Sequence, residues 1–250
     1  MKLSRLLLGA LVGAQVALAG CGGGDEPGRL VTETVGTGPQ TATIVRPAGD
    51  ERRPVVLFLH GWGATRPRFY RPWIDHLARE GNAVIYPRYQ DSVVDPPAEV
   101  LGNALAGVRQ AFARIEAKPR TLVVAGHSAG GALAADYAAI ARTAKLPVPV
   151  AVFSAYPGRT LPGVRVGIPE VDPGRIPAGT DVVAIAGTDD TVVGSRVARR
   201  IARRAGATDK RLVVVENTAA SDHLAPQGAD AAARREFWGR LDALIRSARG

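Results

Sequence analysis

Six short apolar runs set the strongest limit on what this chain can fold into: "PVVLFLH" (54–60), "NAVIYP" (82–87), "TLVVAG" (121–126), "PVAVFS" (149–154), "DVVAIAG" (181–187) and "RLVVVEN" (211–217). A strand with one wet face alternates apolar and polar residues. These runs are nearly continuous, which requires cover on both faces and so points to strands inside a parallel sheet. Helical patterns separate them at 68–80, 97–117, 129–145, 194–206 and 228–248, long enough to cross over between parallel neighbours. Ahead of them, "RLVTETV" (29–35) and "TATIVRP" (41–47) flank the turn-rich "GTGPQ" and read as an antiparallel hairpin. The expectation is an α/β fold with an eight-stranded, mostly parallel sheet flanked by helices. One crossover departs from the pattern. Residues 155–180 carry five prolines and five glycines with no amphipathic period, so a short irregular cap region is expected there instead of a helix.

At 250 residues and 46% hydrophobic content, the chain is long enough for one sizeable core and too apolar for a disordered protein. One globular domain over 29–250 is the expected count, and the first twenty residues stand apart from it. "MKLSR" is basic and "LLLGALVGAQVALA" is an apolar run of signal-peptide length, too short and small-residue-rich for a comfortable membrane span. "LAGC" at Leu18 to Cys21 resembles the lipobox of bacterial lipoprotein signal peptides. That resemblance implies cleavage after residue 20, lipidation of Cys21 and an exported protein anchored to the membrane or cell envelope. Residues 21–28 then form a lipidated cysteine and a glycine-rich flexible tether. Cys21 is the only cysteine, so an intramolecular disulfide is ruled out and the fold must rely on its core. The net charge of +9 fits either an anionic lipid surface or a solvated coat.

The stretch "VVAGHSAGGALAAD" (123–136) carries the chemistry. A Gly-x-Ser-x-Gly string alone is weak, but Gly126 and Gly130 flank Ser128 directly after a buried strand and directly before a helical segment. That strand–turn–helix setting is the one a nucleophile elbow needs, because a strained turn lifts the serine hydroxyl out at the sheet's C-terminal edge. Small neighbours keep the turn from clashing with the adjacent strand and helix.

With these residues in view, the chain resembles the α/β-hydrolase family of serine esterases and lipases over 29–250. The resemblance implies the order serine, acid, histidine. It assigns Ser128 as nucleophile, Asp190 as the acid through the pattern Gly187, Asp190, Val193, and His223 in "SDHLAP" as the base. Asp189 remains an alternative acid. "HGWG" at His60 to Gly63 falls where the family forms one side of its oxyanion hole, which implies that the backbone N–H of Trp62 pairs with that of Ala129. By the same resemblance His60 holds its loop, with a role as the base left as a lesser alternative, and His127 is a spacer within the elbow.

The chemistry requires all three groups. A serine hydroxyl is a poor nucleophile at neutral pH, so a histidine must take its proton and return one to the leaving group, while a carboxylate fixes the imidazole tautomer. The expected function is cleavage of small-molecule carboxylic esters through an acyl-enzyme intermediate, without cofactor or metal. Acyl transfer and amide or peptide cleavage use the same groups and remain open. A non-catalytic binding protein of this fold remains the rival from another class. A carboxylate-nucleophile dehalogenase or epoxide hydrolase is disfavoured because the elbow holds serine. The helix in "VARRIARRAG" reads as a solvated basic face, and no base-stacking aromatics accompany it, which argues against nucleic acid as a partner. The irregular 155–180 connection, with Tyr156 and Leu161 as either wall or anchor residues, predicts an open cleft.

Overall fold

The computed structural model describes residues 28–160 and 167–250. The leader, Cys21 and its tether up to residue 27 lie outside the described residues, as does Leu161.

Eight strands form one sheet: β1 (Leu30–Val35), β2 (Ala42–Pro47), β3 (Val55–Leu59), β4 (Ala83–Pro87), β5 (Val123–His127), β6 (Ala151–Ala155), β7 (Asp181–Gly187) and β8 (Lys210–Val215). Their spatial order is β1-β2-β4-β3-β5-β6-β7-β8. β1 and β2 pair antiparallel, as the hairpin reading required, and β2 joins β4 antiparallel. From β4 to the β8 edge every pairing is parallel. The chain order reverses between β3, β4 and β5, so the connections leaving β3 and β5 diverge and leave a crevice at their C-terminal ends.

The continuous apolar runs follow from cover on both faces. In β3, Val55, Leu57 and Leu59 enter one core while Val56 and Phe58 enter the other. The first core is closed by α2 (Val100–Phe112), α3 (Ala129–Ile140) and α4 (Arg196–Arg204). The second is closed by α1 (Arg71–Arg79) and a C-terminal helix α5 (231–249). Trp73 on α1 lies edge-on to Phe58 at 5.1 Å and stacks with Trp238 of α5 at 6.4 Å, so both helices share one aromatic cluster. α3 packs closest to the sheet, and its residues Ala129 to Ala139 are all buried. Alanine and glycine on every side make that approach possible.

The helix expected over 97–117 is confined to Val100–Phe112. Pro96 and Pro97 occupy the turn before it, and residues after it are drawn into a parallel bridge, with Arg53 N–H donating to Glu116 O at 3.0 Å and Lys118 N–H to Arg53 O at 2.8 Å. Strand-type pairing there outcompetes local helical propensity. Among the described residues of 155–180 the regular element is one short 3-10 turn, Pro173–Arg175.

Candidate active site

Ser128 sits between β5 and α3 with φ 56° and ψ −121°, a left-handed backbone for a residue with a side chain. Its neighbours impose this. A Cβ on Gly130 would lie 2.1 Å from Leu59 O, and one on Gly126 would lie 2.1 Å from Gly130 O. Backbone bonds then pin the turn: Ser128 N–H donates to Ala155 O at 3.0 Å, and Gly158 N–H donates to Ser128 O at 3.0 Å. The strain is over-determined by packing, which is the condition for keeping it.

Asp190 lies in the turn after β7, and His223 lies after β8 beyond a 3-10 turn at Ala219–Ser221. The fold brings the three together. His223 Nε2 is 3.0 Å from Ser128 Oγ, and His223 Nδ1 is 2.9 Å from Asp190 Oδ2. Asp190 Oδ1 accepts from Val192 N–H and Val193 N–H, each at 3.0 Å. Burial pushes the Asp190 carboxyl up, but the His223 hydrogen bond, the two N–H donors and the imidazole charge outweigh it and hold it below the usual carboxylate range. An ionised carboxylate accepts only, so it requires the proton on Nδ1 and leaves Nε2 bare toward the serine. Asp189 points elsewhere and accepts from Ser221 Oγ, which ties the acid turn to the histidine loop.

A second hydrogen-bonded chain runs behind this relay. His127 Nε2 is 2.8 Å from the carbonyl oxygen of His223. A carbonyl only accepts, so Nε2 carries the proton. Burial, reinforced by the charge of His223, lowers the His127 pKa to about 3, so the ring is neutral and its Nδ1 is bare. Tyr70 OH, 2.8 Å away, therefore donates to Nδ1 and itself accepts from Gly61 N–H at 3.0 Å. His127 is thus more than a spacer: it fixes the backbone of the histidine loop from beneath. Tyr70 was missed from the sequence, because nothing in "RFYRPW" announces a partner 57 residues away. His60 is fully buried, with Nδ1 2.7 Å from Gly61 O and Nε2 2.6 Å from Arg88 O. Its ring stacks on Tyr89 at 3.9 Å, so it holds its loop and is not placed to act on Ser128.

Residues 56–176 match a family model described as an alpha/beta hydrolase fold. An esterase from Rhizomucor miehei superposes with a TM-score of 0.65 at 16% identity, covering 90% of this chain and 84% of the fungal one. The chain has the α/β-hydrolase fold. An esterase from Pyrobaculum calidifontis gives 0.60 at 20% identity, over 89% of this chain and 86% of that one. A dienelactone hydrolase-like promiscuous phosphotriesterase from metagenomic libraries gives 0.64 at 17% identity, over 88% and 98%. In sequence, Chlorophyllase-1, chloroplastic, of Citrus sinensis is 32% identical over 102 residues, covering 37% of this chain. That match takes in 31% of the plant protein, under a third of its length.

Above Ser128 the chain carries a cavity of about 270 Å³. Trp62, Ser128 and Ala129 line its floor, and its walls come from Val93 to Asp95 and Pro97 on one side and Gly158 to Thr160, Ile168 and Val193 on the other. Trp62 and Ala129 thus line the same cavity as the serine. Gly63 N–H, by contrast, donates to Gln90 Oε1. Trp62 Nε1–H reaches across to Val93 O at 2.9 Å and props the 88–99 loop against the floor. The sequence reading placed the wall in 155–180 alone. The contribution of Val93 and Val94 was missed, although two valines in a Pro- and Asp-rich loop, with no strand to join, were an available signal. Tyr156 serves as an anchor: buried, it donates its hydroxyl to Ala220 O.

Proposed function

We propose that the protein is a serine hydrolase of carboxylic esters. The observation that carries this reading is the buried relay from Ser128 through His223 to Asp190, with links of 3.0 and 2.9 Å, opening into an apolar cavity. His223 Nε2 takes the Ser128 proton as Oγ bonds to the ester carbonyl carbon. The carbonyl oxygen becomes an oxyanion held by the N–H groups of Trp62 and Ala129. Collapse breaks the bond to the alkoxy oxygen, which leaves as an alcohol with the proton from His223. Water then repeats the sequence on the acyl-enzyme, giving its proton to His223, and the acid departs as Ser128 recovers its own. Structural relatives described as esterases support the choice of ester over other acyl substrates.

Export and lipid anchoring at Cys21 belong to the same proposal and rest on the "LAGC" stretch. The tether separates the anchor from the cleft, so Cys21→Ser releases the protein from membranes and leaves turnover on soluble esters unchanged. The test of the hydrolase reading is covalent labelling by a fluorophosphonate. It should be stoichiometric in the parent protein and absent in Ser128→Ala. A folded parent that neither labels nor turns over short-chain esters would overturn the proposal.

A further inference from the structure

A second hollow opens from the far side of the cavity wall. It measures about 680 Å³ and shares Gly158, Arg159, Thr160 and Val193 with the cavity above Ser128, so the two spaces adjoin. Among the described residues its charged lining is of one sign. Arg159 contributes, but its guanidinium is held by the buried carboxylate of Asp136, with bonds of 2.9 and 2.7 Å. The rest comes from Arg196, Arg199 and Arg203 on α4. These stand at i, i+3 and i+7, on one face of the helix.

The two arginine stripes of α4 differ. Arg200 and Arg204, on the neighbouring stripe and outside the hollow, meet Glu170 at 2.7 Å and Asp172 at 4.0 Å. Among the described residues, no carboxylate comes within 4.0 Å of Arg196, Arg199 or Arg203. Arg199 Nε–H donates only to the neutral Ser195 Oγ at 3.1 Å. A solvated coat would show no reason for pairing on one stripe and its absence on the other. A cleft lined by one sign of charge concentrates the opposite sign within it, and Val192, Val193 and Val197 give the same hollow an apolar side.

We infer that this hollow receives an anionic group of the ester substrate, so that the enzyme acts on esters whose acyl or alcohol portion ends in a carboxylate or phosphate. The inference rests on the hydrolase reading above and deepens it. The neutral body of the substrate occupies the cavity over Ser128, and its charged end passes Thr160 and Val193 to meet the three unpaired guanidinium groups.

The experiment compares kcat/KM on two matched pairs of p-nitrophenyl-type esters. In one pair a terminal carboxylate is added to the acyl chain, in the other to the alcohol. In at least one pair the parent enzyme should prefer the anionic ester by about tenfold or more at low salt, with the preference shrinking as salt screens the contact. The exposed-surface variant Arg196→Gln/Arg199→Gln/Arg203→Gln should erase the preference and keep turnover of the neutral ester. Arg200→Gln/Arg204→Gln, on the paired stripe, should keep both. Equal rates on the neutral and anionic members of both pairs, or a preference that survives the triple substitution, would overturn the inference. So would a triple variant that loses only its binding to phosphatidylglycerol vesicles, which would make this face a membrane contact. Loss of fluorophosphonate labelling at Ser128 in the parent would be a different failure, that of the hydrolase reading itself.

Discussion

Ser128, Asp190 and His223 stand at three strand ends and are each 5% exposed, whereas Val93 and Val94, across the same cavity, are 62% and 84% exposed. The relay residues are fixed by several independent contacts: glycine-enforced backbone approach at the elbow, two N–H donors on Asp190, and the Tyr70–His127 chain under His223. The wall valines are held by fewer contacts: Val93 O accepts from Trp62 Nε1–H at 2.9 Å, and Val94 N–H donates only within its own loop, to Ser92 Oγ at 3.3 Å. A rigid floor and a lightly held wall divide the labour. On the proposed hydrolase reading, groups that must stay aligned within a fraction of an ångström are over-determined, and groups that only exclude water or fit an acyl chain are not.

The strongest test of that contrast is at the acid. Asp190→Asn should leave the fold intact and lower kcat by about 10⁴, because an amide cannot hold His223 in the tautomer that leaves Nε2 bare. Asp189→Asn should cost far less, since Asp189 bonds Ser221 and not the imidazole. A severe defect at Asp189 with a mild one at Asp190 would reverse the two roles. Steady-state kinetics on a soluble ester decides it.

One level beneath, Tyr70→Phe removes a hydroxyl that serves two buried partners, Gly61 N–H and His127 Nδ1. Each group left unsatisfied costs about 1–3 kcal/mol, so chemical denaturation should show a loss of roughly 2–6 kcal/mol. Because the same chain holds the backbone of His223, kcat should fall with KM nearly unchanged. A variant of full stability and full kcat would show that the histidine loop needs no support from below.

These cases mark what was legible from the residues. Strand count, hairpin and the mostly parallel pairing could be placed because each depends on local pattern, and the relay positions because short stretches around them resemble a family's motifs. The Tyr70–His127–His223 chain could not, since it joins three segments through a side chain on the turn into α1, and no periodicity marks it. The wall formed by 88–99 was hidden for a related reason. A loop's course depends on what it packs against, here Trp62, and its composition indicates only that it turns.

Acidification probes the same buried chain. His127 and His60 have folded pKa values of about 3 and about 4, both lowered chiefly by burial, against 6.5 when exposed. Above pH 6.5 neither chain state binds these protons and the two histidines leave stability unchanged with pH. As pH falls below 6.5 the unfolded chain protonates both while the folded one does not, so stability falls by about 1.4 kcal/mol per pH unit for each. The loss continues toward about pH 4 for His60 and about pH 3 for His127, where the folded protein takes up the proton as well. Asp190, with its depressed pKa, adds to the loss only below the ordinary carboxylate range. Urea titrations from pH 6.5 to 4.5 should show this slope, and His127→Gln should reduce it by one proton's share. An unchanged slope in that variant would mean that His127 is already protonated when folded, so that Nδ1–H would donate to Tyr70 OH and that one link of the chain would reverse.

The smallest effect is expected at the wall. Val94→Ala removes two methyl groups from a side chain that is mostly exposed and lines the cavity only at its rim. Apolar contact of that size is worth about 1 kcal/mol or less in substrate binding, so KM for a short acyl ester should rise by roughly two- to fivefold. The relay does not touch this loop, so kcat should stay within about twofold. Among the described residues the wall carries no apolar helix to be lifted by an oil–water interface, and rate against substrate concentration should saturate smoothly through the solubility limit. A sharp rise at that limit, or a kcat loss at Val94 approaching that of Tyr70→Phe, would erase the division between floor and wall. The segment around Val93 and Val94 would then be a moving part that completes the site when substrate enters, with the Trp62–Val93 bond made or broken as it moves.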